Sequence, residues 1–260
     1  MGRLDKKVCI ITGCASGLGK QQAIRFAEEG ARLSICDVQE EKLMETKRIC
    51  EDRGAEVMAM AFDLGNAEAI GKFVNATVER YGPSIDALVN NAHHTTMLLP
   101  FLEKSEDDLA IEWNSGPLAM WRLMKLCHPY MKGHPGAGAS IINFSSKAGM
   151  EGTPGHVAYA AVKEAIRGMS RVVAREFGPD NIRVNAIMPN GFTDNIETGL
   201  QLQTEDIQKW AMQAFSNNPF GRAGNPYEDV APIAVFLASD DSHWITGDTI
   251  HADGGSFLHA

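Results

Sequence analysis

Seven short runs of apolar and β-branched residues recur along the chain: VCIIT, RLSICD, EVMAMAFD, DALVNNA, SIINFS, IRVNAIMP and DTIHADGG. Between them lie stretches with helical periodicity, such as Gly17 to Glu29 and Val157 to Phe177. Strands that are almost continuously apolar must be covered on both faces. Alternation with amphipathic helices supplies that cover in a parallel sheet. The expected fold is a doubly wound α/β sheet of about seven parallel strands with helices on both faces. Its ligand crevice belongs at the carboxyl ends of the strands. No repeat, low-complexity tract or linker interrupts the sequence, so residues 1–260 are expected to form one domain.

Composition narrows the function by exclusion. A formal net charge of −9 argues against a nucleic-acid or anionic-membrane partner, because those surfaces need clustered Lys and Arg. Five cysteines without a C-x-x-C pair point to a reducing compartment and to no metal site. No transmembrane stretch is visible, and MGRLDKKVCIITG lacks the long apolar core of a signal peptide, so a cytoplasmic location is expected.

The turn TGCASGLG, Thr12–Gly19, joins the first strand run to LGKQQAIRFAEEG, a helix expected to end at Gly30. A strand-to-helix turn here puts free N–H groups and the positive end of a helix dipole where a diphosphate would bind. Gly13 permits the sharp turn, and Gly17 and Gly19 allow close backbone approach. The second strand ends at Asp37, whose carboxylate suits the adenosine ribose hydroxyls. An NADP 2′-phosphate there would meet a like charge, costing roughly 1–4 kcal/mol for a pair about 4 Å apart. No Arg or Lys in the turn or at Val38 offsets it. NAD is therefore the expected cofactor.

Chemistry is carried by YAAVK, Tyr159 to Lys163, whose ends share one helix face. A phenol near pKa ~10 is a poor base at neutral pH. An ammonium about 4 Å away would stabilise the phenolate by roughly 4 kcal/mol, roughly three pKa units. Ahead of it, Ser146 ends the strand SIINFSS, where its hydroxyl can bind a substrate oxygen while Tyr159 exchanges the proton.

These ordered motifs resemble those of the short-chain dehydrogenases/reductases of about 250 residues. The resemblance runs from Lys7 to about Gly255: T-G-x-x-x-G-x-G at 12–19, Asp37, FDL with Asp63, NNA at 90–92, Asn114, FSS ending in Ser146, YAAVK, and the closing PFGRAGNPYEDVAPIAVFLASDDSHWITGDTIHADGG. It implies a Rossmann-type fold and a hydride moving between nicotinamide C4 and a secondary alcohol or ketone carbon. Tyr159 is then the acid/base, Lys163 lowers its pKa and holds the nicotinamide ribose, and Ser146 orients the substrate oxygen. Asn114 holds a water relaying protons from Lys163. The implied cofactor contacts are Gly13, Ser16, Gly17, Leu18, Gly19, Asp37, Asp63, Leu64, Asn91, Ala92, Tyr159, Lys163, Pro189 and Thr193. The family is mostly tetrameric, so a homo-oligomer is expected.

Three departures from that pattern stand out. His93 and His94 follow NNA where the family usually has glycine, placing a β-carbon beside the cofactor path. The simplest reading makes both loop residues without catalytic duty, while His94 to Met97 lead toward the substrate mouth. Pro117 lies just after Asn114 in NSGPL and should bend the helix locally by removing one backbone bond. The usual PG after the sixth strand reads PNG, which displaces Thr193.

Substrate choice falls to the segment of about residues 192–219, read as a lid. Ile207, Trp210, Ala211, Ala214 and Phe215 share one helix face, behind an N-cap at Thr204. MLLPF at 97–101 and Met150 are placed to line the same cleft. His94, Met150 and Trp210 are the candidate substrate contacts. The expected substrate is bulky and apolar: a hydroxysteroid, bile acid or alicyclic alcohol. Two rivals stand beside this reading, a 3-oxoacyl reductase and a catalytically silent nucleotide-binding sensor or scaffold.

Overall fold

The first apolar run, Val8–Thr12, forms strand β1 and is buried from end to end. The structure, a computed structural model, describes residues 2–201 and 204–257, except for the side chains of Ile207 and Trp210. Seven parallel strands follow the order β3-β2-β1-β4-β5-β6-β7. They are β1, β2 (Arg32–Asp37), β3 (Val57–Ala61), β4 (Ala87–Asn90), β5 (Ala139–Phe144), β6 (Ile182–Pro189) and β7 (Thr249–Ala252). The chain winds outward from β1 to β3 through helices α1 (Gly17–Glu28) and α2 (Glu40–Asp52), then returns by α3 (Ala67–Tyr81) to β4 on the other side of β1. That reversal opens the crevice beyond the carboxyl ends of β1 and β4.

The second half supplies the rest of the crevice. Helix α4 (Glu106–Trp113) runs through a π turn (Asn114–Leu118) into α5 (Ala119–Met131). After β5 come the one-turn α6 (Ala148–Glu151) and the long α7 (Val157–Phe177). After β6 come α8 (Asp194–Gln201) and α9 (Glu205–Ser216), and α10 (Ala231–Ala238) precedes β7. Pro117 lies inside the π turn, where wider pairing accommodates the bond its missing N–H cannot make. Gly30, with φ of +85°, follows α1 as expected.

Two buried clusters sandwich the sheet. One joins α1 and α10 through Phe26, Leu33 and Val235; the other joins α3, α5 and α7 through Phe73, Leu88 and Leu123. Both are built from alternate strand residues, as period-two geometry requires. Polar groups inside the sheet are paired across strands: Asn90 Nδ2 donates to Asn143 Oδ1 at 2.8 Å, and Asn143 Nδ2 donates to Ser170 Oγ on α7 at 2.9 Å. This chain of bonds fixes α7, the helix that carries Tyr159 and Lys163, against β5. All five cysteines are buried and unpaired.

Candidate active site

The glycine turn is shaped by steric necessity. Gly13 and Gly17 have φ of +75° and +59°, which side-chain-bearing residues rarely adopt. A β-carbon on Gly19 would lie 2.0 Å from the Gly13 carbonyl oxygen, and one on Gly13 would lie 2.9 Å from Ala92 Cα. Thr12 Oγ1 accepts from the Asn91 and Ala92 amides, and Asn91 Nδ2 donates to the Thr12 carbonyl at 3.0 Å. Asn91 therefore braces the turn with its side chain. The cradle is a backbone surface with no room for anything but hydrogen at two positions.

Charge around the cradle follows from the strand ends. Asp37, at the end of β2, accepts from the Ala15 amide at 2.9 Å and the Gln39 amide at 3.0 Å. Asp63 accepts from the Gly65 amide at 2.8 Å, and Leu64 beside it is buried. The residues present fit a dinucleotide: a tight backbone cradle at a helix N-terminus, then a carboxylate at the ribose position.

The segment after β6 reaches back to this cradle. Asp194 Oδ1 accepts from the Gly17 amide at 2.8 Å, and Asn195 Nδ2 donates to Ser16 Oγ at 2.9 Å. Thr193 Oγ1 accepts from the Ile196 amide at 3.3 Å, capping the start of α8, and Gly17 faces it closely. Gly191 packs on Leu18, and Asn190, the residue added between Pro189 and Gly191, is buried and donates to the Phe215 carbonyl at 3.3 Å. Phe192 and Phe215 meet edge to face at 5.3 Å. Asp194 and Asn195 gave no sign in the sequence pattern, because their partners are backbone and side-chain groups about 180 residues away.

On the other wall Ser146, Tyr159 and Lys163 come together. Lys163 is 4% exposed, and its Nζ lies 5.5 Å from the Tyr159 ring centre. The Tyr159 phenol is raised above its ordinary value, chiefly by burial, with a hydrogen bond to Ser146 pulling it down and the Glu112 charge pushing it up. Lys163 is pushed down to about 8 by burial, against the upward pull of Glu112. This corrects the expectation that Lys163 alone brings Tyr159 close to neutrality. The ammonium donates instead to the Phe144 carbonyl at 2.9 Å, so desolvation outweighs its field at the phenol.

Asn114 lies at the start of the π turn and is exposed, with no side-chain hydrogen bond among the described residues. Two positions along, Gly116 faces inward instead: a β-carbon there would sit 2.8 Å from His93 Nδ1. The π turn brings residue 116 against the His93 ring.

The histidines divide. His93 has its side chain 6% exposed, packs against the Tyr159 ring at 5.4 Å, and shares a contact of 3.4 Å between Nε2 and Glu112 Oε2. His94 is exposed, with its amide held by Ser115 Oγ at 3.1 Å. The His156 ring stands 6.2 Å from that of Tyr159. Met150 is half-buried beside this site. In α9, Ala211 is buried and Phe215 half-buried, while Ala214 is exposed and so does not share the inner face. The side chains of Ile207 and Trp210 lie outside the described residues. Thr204 takes the N-cap position of α9, though its side chain makes no capping bond.

The comparisons agree with this geometry. A family described as "Enoyl-(Acyl carrier protein) reductase" matches residues 13–256. The chain is 40% identical to a 3-oxoacyl-(acyl-carrier-protein) reductase of Thermotoga maritima, over 97% of this chain and 98% of that one. It is 35% identical to a 12alpha-hydroxysteroid dehydrogenase of a Clostridium species, over 98% of each chain. The crystal structure of levodione reductase superposes with a TM-score of 0.89 at 30% identity, over 96% of this chain and 97% of that one. The chain belongs to the short-chain dehydrogenase/reductase family. This short-chain oxidoreductase therefore has its Rossmann-like seven-stranded sheet in common with its structural neighbours, and family members bind a nicotinamide dinucleotide. Among the described residues no helix is long and apolar enough to cross a membrane.

Proposed function

We propose that the protein is an NAD-dependent oxidoreductase that interconverts a secondary alcohol and a ketone on a bulky, apolar, alicyclic molecule. The convergence of Ser146, Tyr159 and Lys163 at the carboxyl edge of the sheet, opposite the glycine cradle, carries this reading. Ser146 orients the substrate oxygen through its hydroxyl. Tyr159 accepts the alcohol proton during oxidation and returns it during reduction. Lys163, buried beneath the ring, holds the cofactor's ribose edge and adds a positive charge near the phenol oxygen. When bound, the nicotinamide accepts or gives the hydride.

Preference for NAD rests on Asp37, whose fixed carboxylate repels a 2′-phosphate, while the exposed neighbour Val38 provides no cation. An apolar substrate is supported by the rim of the crevice. Met97, Leu98 and Phe101 are 74%, 49% and 72% exposed. The Leu98–Leu99 stretch passes against Gly155, in the loop that leads to Tyr159. Residues 192–219 act as the lid over this rim, with Phe192 and Phe215 forming its hinge-side contact. The site lies in residues 1–260 as one domain, and the protein assembles as a homo-oligomer, a tetramer, in the cytoplasm.

A 3-oxoacyl reductase is the second reading, favoured by the 40% identity to the Thermotoga maritima reductase. Purified protein assayed with NAD and NADP across cyclic and steroidal secondary alcohols, with 3-oxoacyl thioesters in the reverse direction, separates the two. Turnover with NAD on cyclic alcohols, lost in Tyr159→Phe, supports the first. NADPH-dependent reduction of thioesters supports the second. Cofactor binding with no turnover in either direction would favour a silent binder.

A further inference from the structure

A buried charge pair at the rim of the crevice has no part in the chemistry above. Glu112, in the last turn of α4, is fully buried, and Lys104, just ahead of that helix, is 4% exposed at its side chain. Lys104 Nζ lies 3.6 Å from Glu112 Oε1. The same oxygen accepts from Thr96 Oγ1 at 2.6 Å and from the Thr96 amide at 3.2 Å, while Glu112 Oε2 meets His93 Nε2 at 3.4 Å. Lys104 also donates to Thr96 Oγ1 and, at 2.6 Å, to the Met97 carbonyl. The Thr96 hydroxyl thus accepts from the ammonium and donates to the carboxylate. Burial pushes the Glu112 carboxyl up, but the bonds from His93 and Thr96 hold it below its ordinary range, so it stays ionised.

Such a pair is a poor source of stability, because taking two charges out of water costs about as much as their attraction returns. What it supplies here is one fixed geometry for the rim. Three ties bind the loop after β4 to α4 and the π turn: the His94 amide to Ser115 Oγ at 3.1 Å, Thr96 to Glu112, and the Met97 carbonyl to Lys104. The side chains that follow, Met97, Leu98, Phe101 and Leu102, are apolar and exposed. A slack loop would fold them onto one another or into the crevice, since apolar surface is driven out of water. Instead the stretch is held alongside Gly155, on the loop that leads to Tyr159.

We propose that the buried Lys104–Glu112 pair is a specificity-determining clamp: by fixing residues 94–97 to α4 it keeps the apolar rim open and preformed for a ligand with a wide apolar face. The inference rests on the reading of the substrate as bulky and apolar, and it names the device that selects for size. Fused carbocyclic rings present enough apolar surface to cover the rim, whereas a single small ring does not. Because the loop is ordered before the ligand arrives, binding the larger molecule carries no added cost of ordering it. Neither Lys104 nor Glu112 touches the reacting atoms. Both are positioning residues, to be felt in KM and not in kcat.

The test uses the intact protein and two secondary alcohols, a decahydronaphthol and cyclopentanol. Lys104→Met keeps the length of the side chain and removes its charge, and Glu112→Gln keeps the shape and an acceptor for Thr96. In each variant the KM for the decahydronaphthol should rise about tenfold or more relative to that for cyclopentanol, with kcat within about threefold. The two losses should not add in the double variant, because each opens the same clamp. Calorimetric titration of the NADH complex with the same alcohols needs no turnover and should show the same selective loss of affinity. If Lys104→Met does not fold, the near-isosteric Glu112→Gln decides. A size preference within about twofold of wild type in both variants overturns the clamp, and so does an equal loss for both alcohols, which would mark the pair as structural alone. A wild-type protein that prefers the decahydronaphthol neither in turnover nor in binding refutes the apolar-substrate reading itself.

Discussion

The two walls of the crevice are built on different principles. The cofactor wall, β1 to β3 with α1, is made of main chain: glycines at 13, 17 and 19, amides offered by the turn, and a strand-end carboxylate. The substrate wall, from His93 through α4, α7 and the α8–α9 segment, is made of side chains that compensate one another across long separations. His93 fits because residue 116 is glycine, and Asp194 meets Gly17 from far along the chain. A wall of backbone tolerates almost no substitution and looks alike wherever the same ligand is bound. A wall of side chains drifts in matched pairs.

If that contrast is right, damage to the two walls should differ in kind. The largest effect belongs to the chemistry between them. Tyr159→Phe is expected to lower kcat by about a hundredfold or more while NADH binding stays within a few-fold, measured by steady-state kinetics and fluorescence titration. Gly19→Ala comes next, on the backbone wall. Its β-carbon would meet the Gly13 carbonyl at 2.0 Å, and about 3 kcal/mol of stability should be lost in denaturant unfolding, with cofactor affinity falling as well.

On the side-chain wall, loss should depend on pH. His93 titrates near 4 when folded and near 6.5 when unfolded, so between these values the unfolded chain binds more protons. Stability should therefore fall by up to about 3 kcal/mol as pH drops from 6.5 to 4, and His93→Leu should flatten that slope in unfolding titrations. A mutant that keeps the full slope would break the comparison. Smaller still is Asp37→Ala, expected to narrow the NAD over NADP preference by roughly tenfold or more by removing one repulsive charge. Smallest is Asp194→Asn, which removes an anion that competes for the Gly17 amide. NADH is expected to bind about threefold tighter, and looser binding would count against the competition.

The same contrast explains what could be read from the sequence. The seven strands, their parallel order and the helix boundaries at Gly17 and Gly30 follow from period, turn chemistry and burial, all of which are local. The convergence of Ser146, Tyr159 and Lys163 was legible because two of them share a helix face and the third ends the preceding strand. The π turn at Asn114–Leu118 was not legible, because it adds a residue to the helical repeat and no periodicity argument registers the extra residue. The pKa of Tyr159 was misjudged because a pairwise charge argument omits desolvation, which only the packed interior reveals. Glu112 reads in the sequence as one more acid on a polar helix. Its burial comes from Thr96 and Lys104, which approach it through a loop.

The fit between His93 and Gly116 also makes two separate positions answer to one another. A side chain at 116 crowds the imidazole at 93, since the first atom beyond Cα would lie 2.8 Å from the ring and one of the two must shift. A glycine at both positions, by contrast, leaves only a small void, which proteins survive at modest expense. Bulk at 116 and the ring at 93 therefore draw on the same space, and a change at either position is felt first at the other.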